Sequence, residues 1–426
     1  MKKAIVIGSG AAGATVAREL QERFDVTVLE AGEPFRPFRH SLTLLESLRK
    51  SGLFFDEREI RWLFPAMQIR KTNEKMVLVN GIGTGGTTTI ATGNALRMDR
   101  DLQKMGIDLS DEFDQITKEI PVSTAHQKHW NKTTRQLFKT CEDMNLNPQP
   151  TPKMGNYEHC QHCGKCIFGC PLGVKWDSRQ FLQDAVTRGA KLITDCQVEK
   201  IIIENGNAKG VTTGKRFTTK FFPADVIILA AGGLGTPVIL QNSGIDCKAG
   251  LFVDPVLCVA TEWPKAFQNK EVAMPFVVQQ DHFMVSPYFD YLSFFFNKNW
   301  RKPAGNILSL MIKLADINKG RISGKKVDKN LTDLDKKHLQ RGVDLCTEIF
   351  MKLGIKKQDL FLGTLNAGHP GGMFPLTEKE ADTFHHSSLP ENLYIADGTL
   401  IPKSLGNPAI LTIIAIAKRV SKLIRQ

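Results

Sequence analysis

A chain of 426 residues, 42% apolar and 23% charged, holds enough material for two or three domains and excludes a disordered or fibrous protein. Its 56 basic and 44 acidic side chains leave a net charge of +12, but the basic residues come in ones and twos (Lys2-Lys3, Arg70-Lys71, Lys325-Lys326, Lys336-Lys337). That scatter reads as a solvated basic surface and argues against nucleic acid as a partner.

Met1-Lys2-Lys3 leads at once into Ala4-Ile5-Val6-Ile7-Gly8, too short an apolar run for a secretory leader. The longest apolar stretch, Ile227 to Leu240, is broken by Gly232, Gly233, Gly235 and Pro237, so no membrane span is expected. These features predict a cytoplasmic chain, with room for peripheral membrane association.

Residues 4–8 read as a buried strand, followed by a tight turn and a helix over 11–24 through Ala12, Val16, Leu20 and Phe24. A second strand, Val26 to Leu29, ends in Glu30 and completes a βαβ unit. Residues 35–75 are uninformative. A second glycine-rich patch follows at Gly81–Thr87, and residues 100–150 look mainly helical. After a cysteine-rich run, a helix is expected from Arg179 to Arg188. Short strands follow at Leu192–Thr194, Val198–Ile203 and Gly210–Thr213, around the Asn205-Gly206 turn. Val226 to Leu229 is a buried strand leading into Gly232-Gly233. The Phe-rich stretch Phe283–Phe296 and the Lys-rich stretch Lys313–Lys337 read as a separate domain, and an amphipathic helix closes the chain from about Ala409 to Ile424.

Gly8, Gly10 and Gly13 stand at G-x-G-x-x-G spacing between strand and helix. They serve the tight turn, the close approach of a pyrophosphate and the packing of helix on strand. The helix N-terminus offers unpaired N–H groups to the phosphates, and Glu30 stands where a carboxylate accepts hydrogen bonds from a ribose diol. The motif alone does not separate flavin from nicotinamide.

Cys160-x2-Cys163-x2-Cys166-x3-Cys170-Pro171 reproduces a bacterial ferredoxin run. The expectation is a [4Fe–4S] cluster ligated by Cys160, Cys163, Cys166 and Cys170. A three-iron form, a distant ligand such as Cys141 or Cys196, and structural zinc are the alternatives. Cys247, Cys258 and Cys346 read as small buried residues.

The chain resembles the glucose–methanol–choline (GMC) family of FAD oxidoreductases. The matching pieces are Gly8 to Gly13 with Glu30-Ala31-Gly32, Gly85-Gly86-Thr87, Ala231 to Pro237 with Ser243-Gly244, His369-Pro370-Gly371-Gly372, and Asn392 to Ile413 with Asp397-Gly398 and Asn407-Pro408. The resemblance covers about half the chain. Ala91 and Thr92 stand where the family often has Asn, and Met373-Phe374 replaces the usual residues after the histidine.

What the resemblance implies is an α/β protein. It has a Rossmann-like FAD-binding domain (1–150, 183–245, 386–426) and an α+β substrate domain (246–385), to which the cysteine spacing adds a cysteine-rich iron–sulfur insertion (151–182). FAD would be held by Gly8, Gly10, Gly13, Glu30, Gly85, Gly86, Thr87, Val198, Asp397 and Gly398. His369 would move the hydroxyl proton and Asn407 would hold the substrate oxygen. His385-His386 reads as an exposed loop pair. Flavin and cluster together suggest a dehydrogenase that oxidises an alcohol and passes electrons through the cluster to a one-electron acceptor, ferredoxin-like or quinone-linked. The alternatives are reduction of a carbonyl or C=C bond by a low-potential donor, or an electron-transfer subunit. The Phe-rich stretch is either core or the wall of an apolar-alcohol pocket. Oligomeric state is open.

Overall fold

The computed structural model describes residues 1–39, 46–47, 49, 56–214, 219–247 and 250–426. Strand β1 (Lys2–Ile7) runs into Gly8, whose φ of +98° favours glycine. Helix α1 (Ala11–Glu19) follows, shorter than the periodicity suggests, and β2 (Phe24–Leu29) returns parallel to β1. Strands β3 (Lys191–Ile193) and β4 (Val226–Leu229), helix α2 (Gly232–Asn242), strand β5 (Leu393–Ile395) and helix α3 (Ile410–Ile424) complete this half.

The five strands form one parallel sheet in the order β5-β4-β1-β2-β3. Its central strands are apolar on both faces because helices cover both. Val6, Ile7, Val28, Leu29, Ile228 and Leu229 are all buried in one core with residues of α1 and α3. The carboxyl ends of β1, β2, β4 and β5 bring Gly8, Glu30, Ala230 and Ala396 to one edge, where open α/β sheets bind their ligands.

The second large element is a nine-stranded sheet. Its path is Met67–Lys71, Val77–Gly81, Asn366–Ala367, Val256–Glu262, Ile307–Leu314, Phe283–Pro287, Phe276–Gln279 and Gln149–Pro150, with Leu360–Leu362 also pairing on Val256–Glu262. The central strand Ile307–Leu314 is buried throughout. Its alternate residues Leu308, Leu310, Ile312 and Leu314 face the helix Asp333–Lys352 through Cys346, Ile349 and Phe350. Gly342 lets that helix come close, since a Cβ there would lie 2.6 Å from Ile312. Ile307 and Met311 face the opposite core, with Phe289, Tyr291, Phe294 and Phe295 of the Phe-rich stretch. Ser309 and Lys313 share that second face by strand alternation. Among the described residues no helix is long and apolar enough to cross a membrane.

The cysteine run does not form the metal site that its spacing predicts. Cys160, Cys163, Cys166 and Cys170 border one small cavity, and all four are free thiols. Yet among the described residues no three His, Cys, Asp or Glu side chains form a group able to hold a metal ion. The iron–sulfur insertion, the [4Fe–4S] cofactor, the four metal-ligand assignments and the relay to a one-electron acceptor are therefore withdrawn, and the zinc alternative with them. The physical reason is that spacing fixes distance along the chain and not convergence in space. Burial also pushes the Cys160 thiol up to about 12 and raises Cys166, favouring the protonated form that does not bind metal.

Candidate active site

Five stretches far apart in sequence meet at the carboxyl edge of the parallel sheet, and glycines allow each approach. A Cβ at Gly13 would sit 1.9 Å from the Gly8 carbonyl oxygen, and one at Gly8 would sit 2.5 Å from that of Ala230. Gly10 faces Gly86 across the groove, Gly233 lies against the Pro370 carbonyl, and Gly371 against that of Gly398.

The N-terminus of α1 suits a pyrophosphate. Its cap residue, Gly10, makes no side-chain cap, and Ala11, Ala12 and Gly13 are buried. The first loop-to-helix backbone bond in this turn is Ala14 N–H to Gly10 O, 3.0 Å. Buried N–H groups at an uncapped helix start call for an acceptor, and a phosphate provides one.

Glu30 is buried with both oxygens occupied. Oε2 accepts from Ser9 N (2.9 Å) and Ser9 Oγ (2.6 Å), and Oε1 from Gly32 N (3.0 Å) and Gly83 N (3.1 Å). It thus ties the fingerprint turn to the second glycine-rich patch. Asp397 does the same on the other side. Its Oδ2 accepts from Gly232 N (2.8 Å) and Thr236 Oγ1 (2.5 Å), and its Oδ1 from Thr399 N (2.9 Å) and the Thr399 hydroxyl. Gly85 and Gly86 take positive φ values, and Thr87 Oγ1 accepts from Gly81 N at 3.1 Å. Val198 opens the strand Val198–Glu204 and is buried in the first core.

The next segment is fixed by two lysines that sequence reasoning missed. Lys175 Nζ donates to the carbonyls of Thr88 (3.1 Å), Thr89 (2.8 Å) and Ala91 (2.7 Å). Lys153 Nζ donates to Thr92 O (3.3 Å), to Ala273 O (2.5 Å) and to the Asn94 side chain. Both are buried, and burial lowers both ammonium pKa values, that of Lys153 to about 7.

Between this segment and the second sheet lies a cavity of about 1030 Å³ including its open mouth. Most of its wall is apolar, with Ile60, Met67, Ile90, Met274, Leu292 and Met311 prominent. Thr87 and Pro408 border it, and its polar groups include Asp290, Lys313, Asn366 and His369. Asp290 caps the helix Tyr291–Phe296 through Leu292 N and the Ser293 hydroxyl, and burial raises it to about 6. Lys313 and Asn366 stand on either side of Val256 in register, so all three point to one face.

His369 follows three residues after Asn366. Its Nδ1 meets Lys313 Nζ at 3.1 Å, and Lys313 also donates to Asp254 Oδ2 at 2.8 Å. Burial, followed by the adjacent Lys313 charge, holds the imidazole well below its usual pKa. Asn407 does not line the cavity. Its Oδ1 accepts from Gln279 Nε2 at 2.8 Å and its Nδ2 donates to Leu405 O at 3.3 Å. The structure thus brings His369 to the cavity but leaves Asn407 behind its neighbour Pro408. His385 is also away from it, its Nε2 against Pro390 O at 3.1 Å.

The sequence profile of the GMC oxidoreductases matches residues 2–256, more than half the chain. The chain belongs to the GMC oxidoreductase family. It is a GMC-type FAD-dependent oxidoreductase. Among relatives, an uncharacterized protein of Methanocaldococcus jannaschii, MJ1450, is 25% identical over 418 residues, 97% of each chain. An uncharacterized GMC-type oxidoreductase of Mycobacterium tuberculosis, Rv0492c, is 29% identical over 295 residues, 65% of this chain and 44% of its own. The long-chain-alcohol oxidase FAO4B of Arabidopsis thaliana is 28% identical over 298 residues, 62% of this chain and 37% of its own. In fold, the chain is similar over its whole length to pyridoxine 4-oxidase from Mesorbium loti, with a TM-score of 0.74 and 14% identity across 99% of that chain. A formate oxidase from Aspergillus oryzae gives 0.72 and 14% across 98% of its chain. These likenesses in fold bear out the Rossmann-like part of the expected architecture.

Proposed function

We infer that this GMC enzyme oxidises the CH–OH carbon of a small alcohol whose body is apolar. The observation that carries the reading is the position of His369. It borders a largely apolar cavity whose rim residues Thr87 and Pro408 adjoin the dinucleotide turns. Relatives whose names are long-chain-alcohol oxidases support the same substrate class.

FAD, when bound, supplies the acceptor for the hydride. The uncapped start of α1 with Gly8, Gly10 and Gly13 would take its pyrophosphate, and Gly85, Gly86, Thr87 and Gly398 would let it approach the backbone. Glu30 and Asp397 mainly hold these turns, because protein donors already occupy their oxygens. Glu30 Oε2, which accepts from the Ser9 hydroxyl here, would be the acceptor for a ribose diol, and Val198 would stand at that end of the site. His369, kept neutral by burial and by Lys313, handles the hydroxyl proton. The apolar wall excludes water and seats the carbon chain. Asn407 acts through Gln279 and the path of Pro408.

The test is anaerobic flavin bleaching by straight-chain primary alcohols of increasing length. Each buried methylene contributes about 0.8 kcal/mol, so the apparent second-order rate should rise about fourfold per methylene until the cavity is filled. Bleaching by no alcohol, or with no dependence on chain length, would reject the reading.

A further inference from the structure

The contact between Lys313 and His369 raises a question of proton direction. A lysine ammonium has only donors, so at 3.1 Å it makes Nδ1 of a neutral imidazole the acceptor. The ring proton then sits on Nε2, the nitrogen left for substrate, and Nε2 can give a hydrogen bond but cannot take a proton. Oxidation of an alcohol demands the opposite state. The ring reaches it when Lys313 is neutral, because Nδ1–H can then donate to the Nζ lone pair and Nε2 is free to accept.

We propose that Lys313 is the terminal proton acceptor of this site and receives the hydroxyl proton of the alcohol through His369. The proposal rests on the alcohol-oxidation reading above. In the step, the carbinol C–H bond breaks and its electron pair leaves with hydrogen as hydride to oxidised flavin. The O–H bond breaks as its proton passes to His369 Nε2, while the Nδ1 proton passes to Lys313, converting –NH2 to –NH3⁺. The carbonyl forms and the ring ends neutral.

The surroundings suit the task. Lys313 is buried in the strand Ile307–Leu314, and burial lowers its pKa against the pull of Asp254. Asp254 fixes the position of Nζ. Its side chain is fully buried, φ is +52°, and Oδ1 is held by the Ser404 hydroxyl. Asp316, the next carboxylate, is committed elsewhere. It pairs with buried Lys329 at 2.6 Å and accepts from the N–H groups of Val253 and Asp254. Asp290 shares the cavity and is engaged at its helix cap. Lys313 is therefore faced by one fixed carboxylate and one imidazole.

The experiment follows the imidazole of His369 by ¹⁵N spectra of histidine-labelled holoenzyme, assigned by signal loss in His369→Gln. The wild type should change from the Nε2–H to the Nδ1–H tautomer as pH rises from about 6 to about 11. The rate of flavin bleaching by 1-octanol should climb over the same interval. Lys313→Arg keeps the charge but cannot deprotonate, so it should hold the Nε2–H tautomer throughout and bleach about 100-fold more slowly. Because arginine is larger, Lys313→Met/Asp254→Asn serves as the second variant. It removes both charges and should abolish the rising limb of the pH profile with FAD still bound. A wild-type ring that keeps one tautomer across this range, or a Lys313→Arg enzyme with the wild-type rate and pH profile, overturns the proposal. If 1-octanol and its homologues bleach no form, the substrate reading fails, while the tautomer titration still decides the role of Lys313.

Discussion

At the scale of single residues, the proton chemistry rests on His369, whose Nδ1 meets Lys313 Nζ at 3.1 Å, and His369→Ala should slow flavin bleaching by about 100-fold or more, with the flavin absorbance of the purified enzyme unchanged. His369-Pro370-Gly371-Gly372 could be picked out because it punctuates the chain and matches a family pattern. Lys313 is hard to single out from sequence because it opens the Lys-rich stretch Lys313–Lys337, which reads only as part of a separate domain. In the structure it lies inside the buried strand Ile307–Leu314, just before Leu314. A lysine inside such a run is itself a signal, since a buried ammonium needs a partner, and Asp254 is that partner.

A second buried histidine gives a prediction on stability. His126 donates from Nε2 to Thr151 O at 2.8 Å and accepts the Trp130 Nε1–H on Nδ1 at 3.0 Å. Burial first, then Lys153, lowers its pKa to about 4. The unfolded chain therefore takes up the proton first, near pH 6.5. Its contribution is fully present above that pH and is lost as pH falls toward 4. Urea midpoints should show about 2 to 3 kcal/mol of this loss between pH 7.5 and pH 4.5, and His126→Gln should remove that part of the acid sensitivity.

At the scale of elements, local signals were enough wherever one turn determines the structure. The Gly8–Gly13 turn is such a case, as is β4, which spans the expected Val226 to Leu229. Gly13→Ala would drive its Cβ toward the Gly8 carbonyl. The expected result is an apoprotein with weakened FAD binding, read as a low ratio of flavin absorbance to protein absorbance. The central strand of the second sheet packs its alternate residues on the helix Asp333–Lys352. Ile312→Ala should therefore cost about 2 to 5 kcal/mol in urea unfolding. The cysteine run shows the limit of local reading. Its spacing is that of a ferredoxin, but whether thiols converge depends on short turns and on neighbours distant in sequence, such as Glu271 and Val272 beside the same cavity.

At the scale of the whole molecule, the parallel sheet was legible because β1 and β4 are short apolar runs that lead into the glycine turns at Gly8 and Gly232-Gly233. The nine-stranded sheet was not. Its pairings join Gln149–Pro150 to Phe276–Gln279 and Val77–Gly81 to Asn366–Ala367, partners that no local pattern specifies. The active cavity lies between the segment 87–94 and the nine-stranded sheet, elements far apart in sequence, so its lining could not be listed from sequence even though the dinucleotide turns could. The Phe-rich stretch served both expected ends, with Phe294 and Phe295 in the core and Tyr288 and Leu292 on the cavity wall.

The most direct measurement is the rate of anaerobic flavin bleaching by 1-octanol and by the same alcohol deuterated at its carbinol carbon. A primary isotope effect in the wild type, with bleaching slowed by about 100-fold or more in His369→Ala, is the predicted result. Bleaching insensitive to both deuterium and His369 would contradict hydride removal at this cavity.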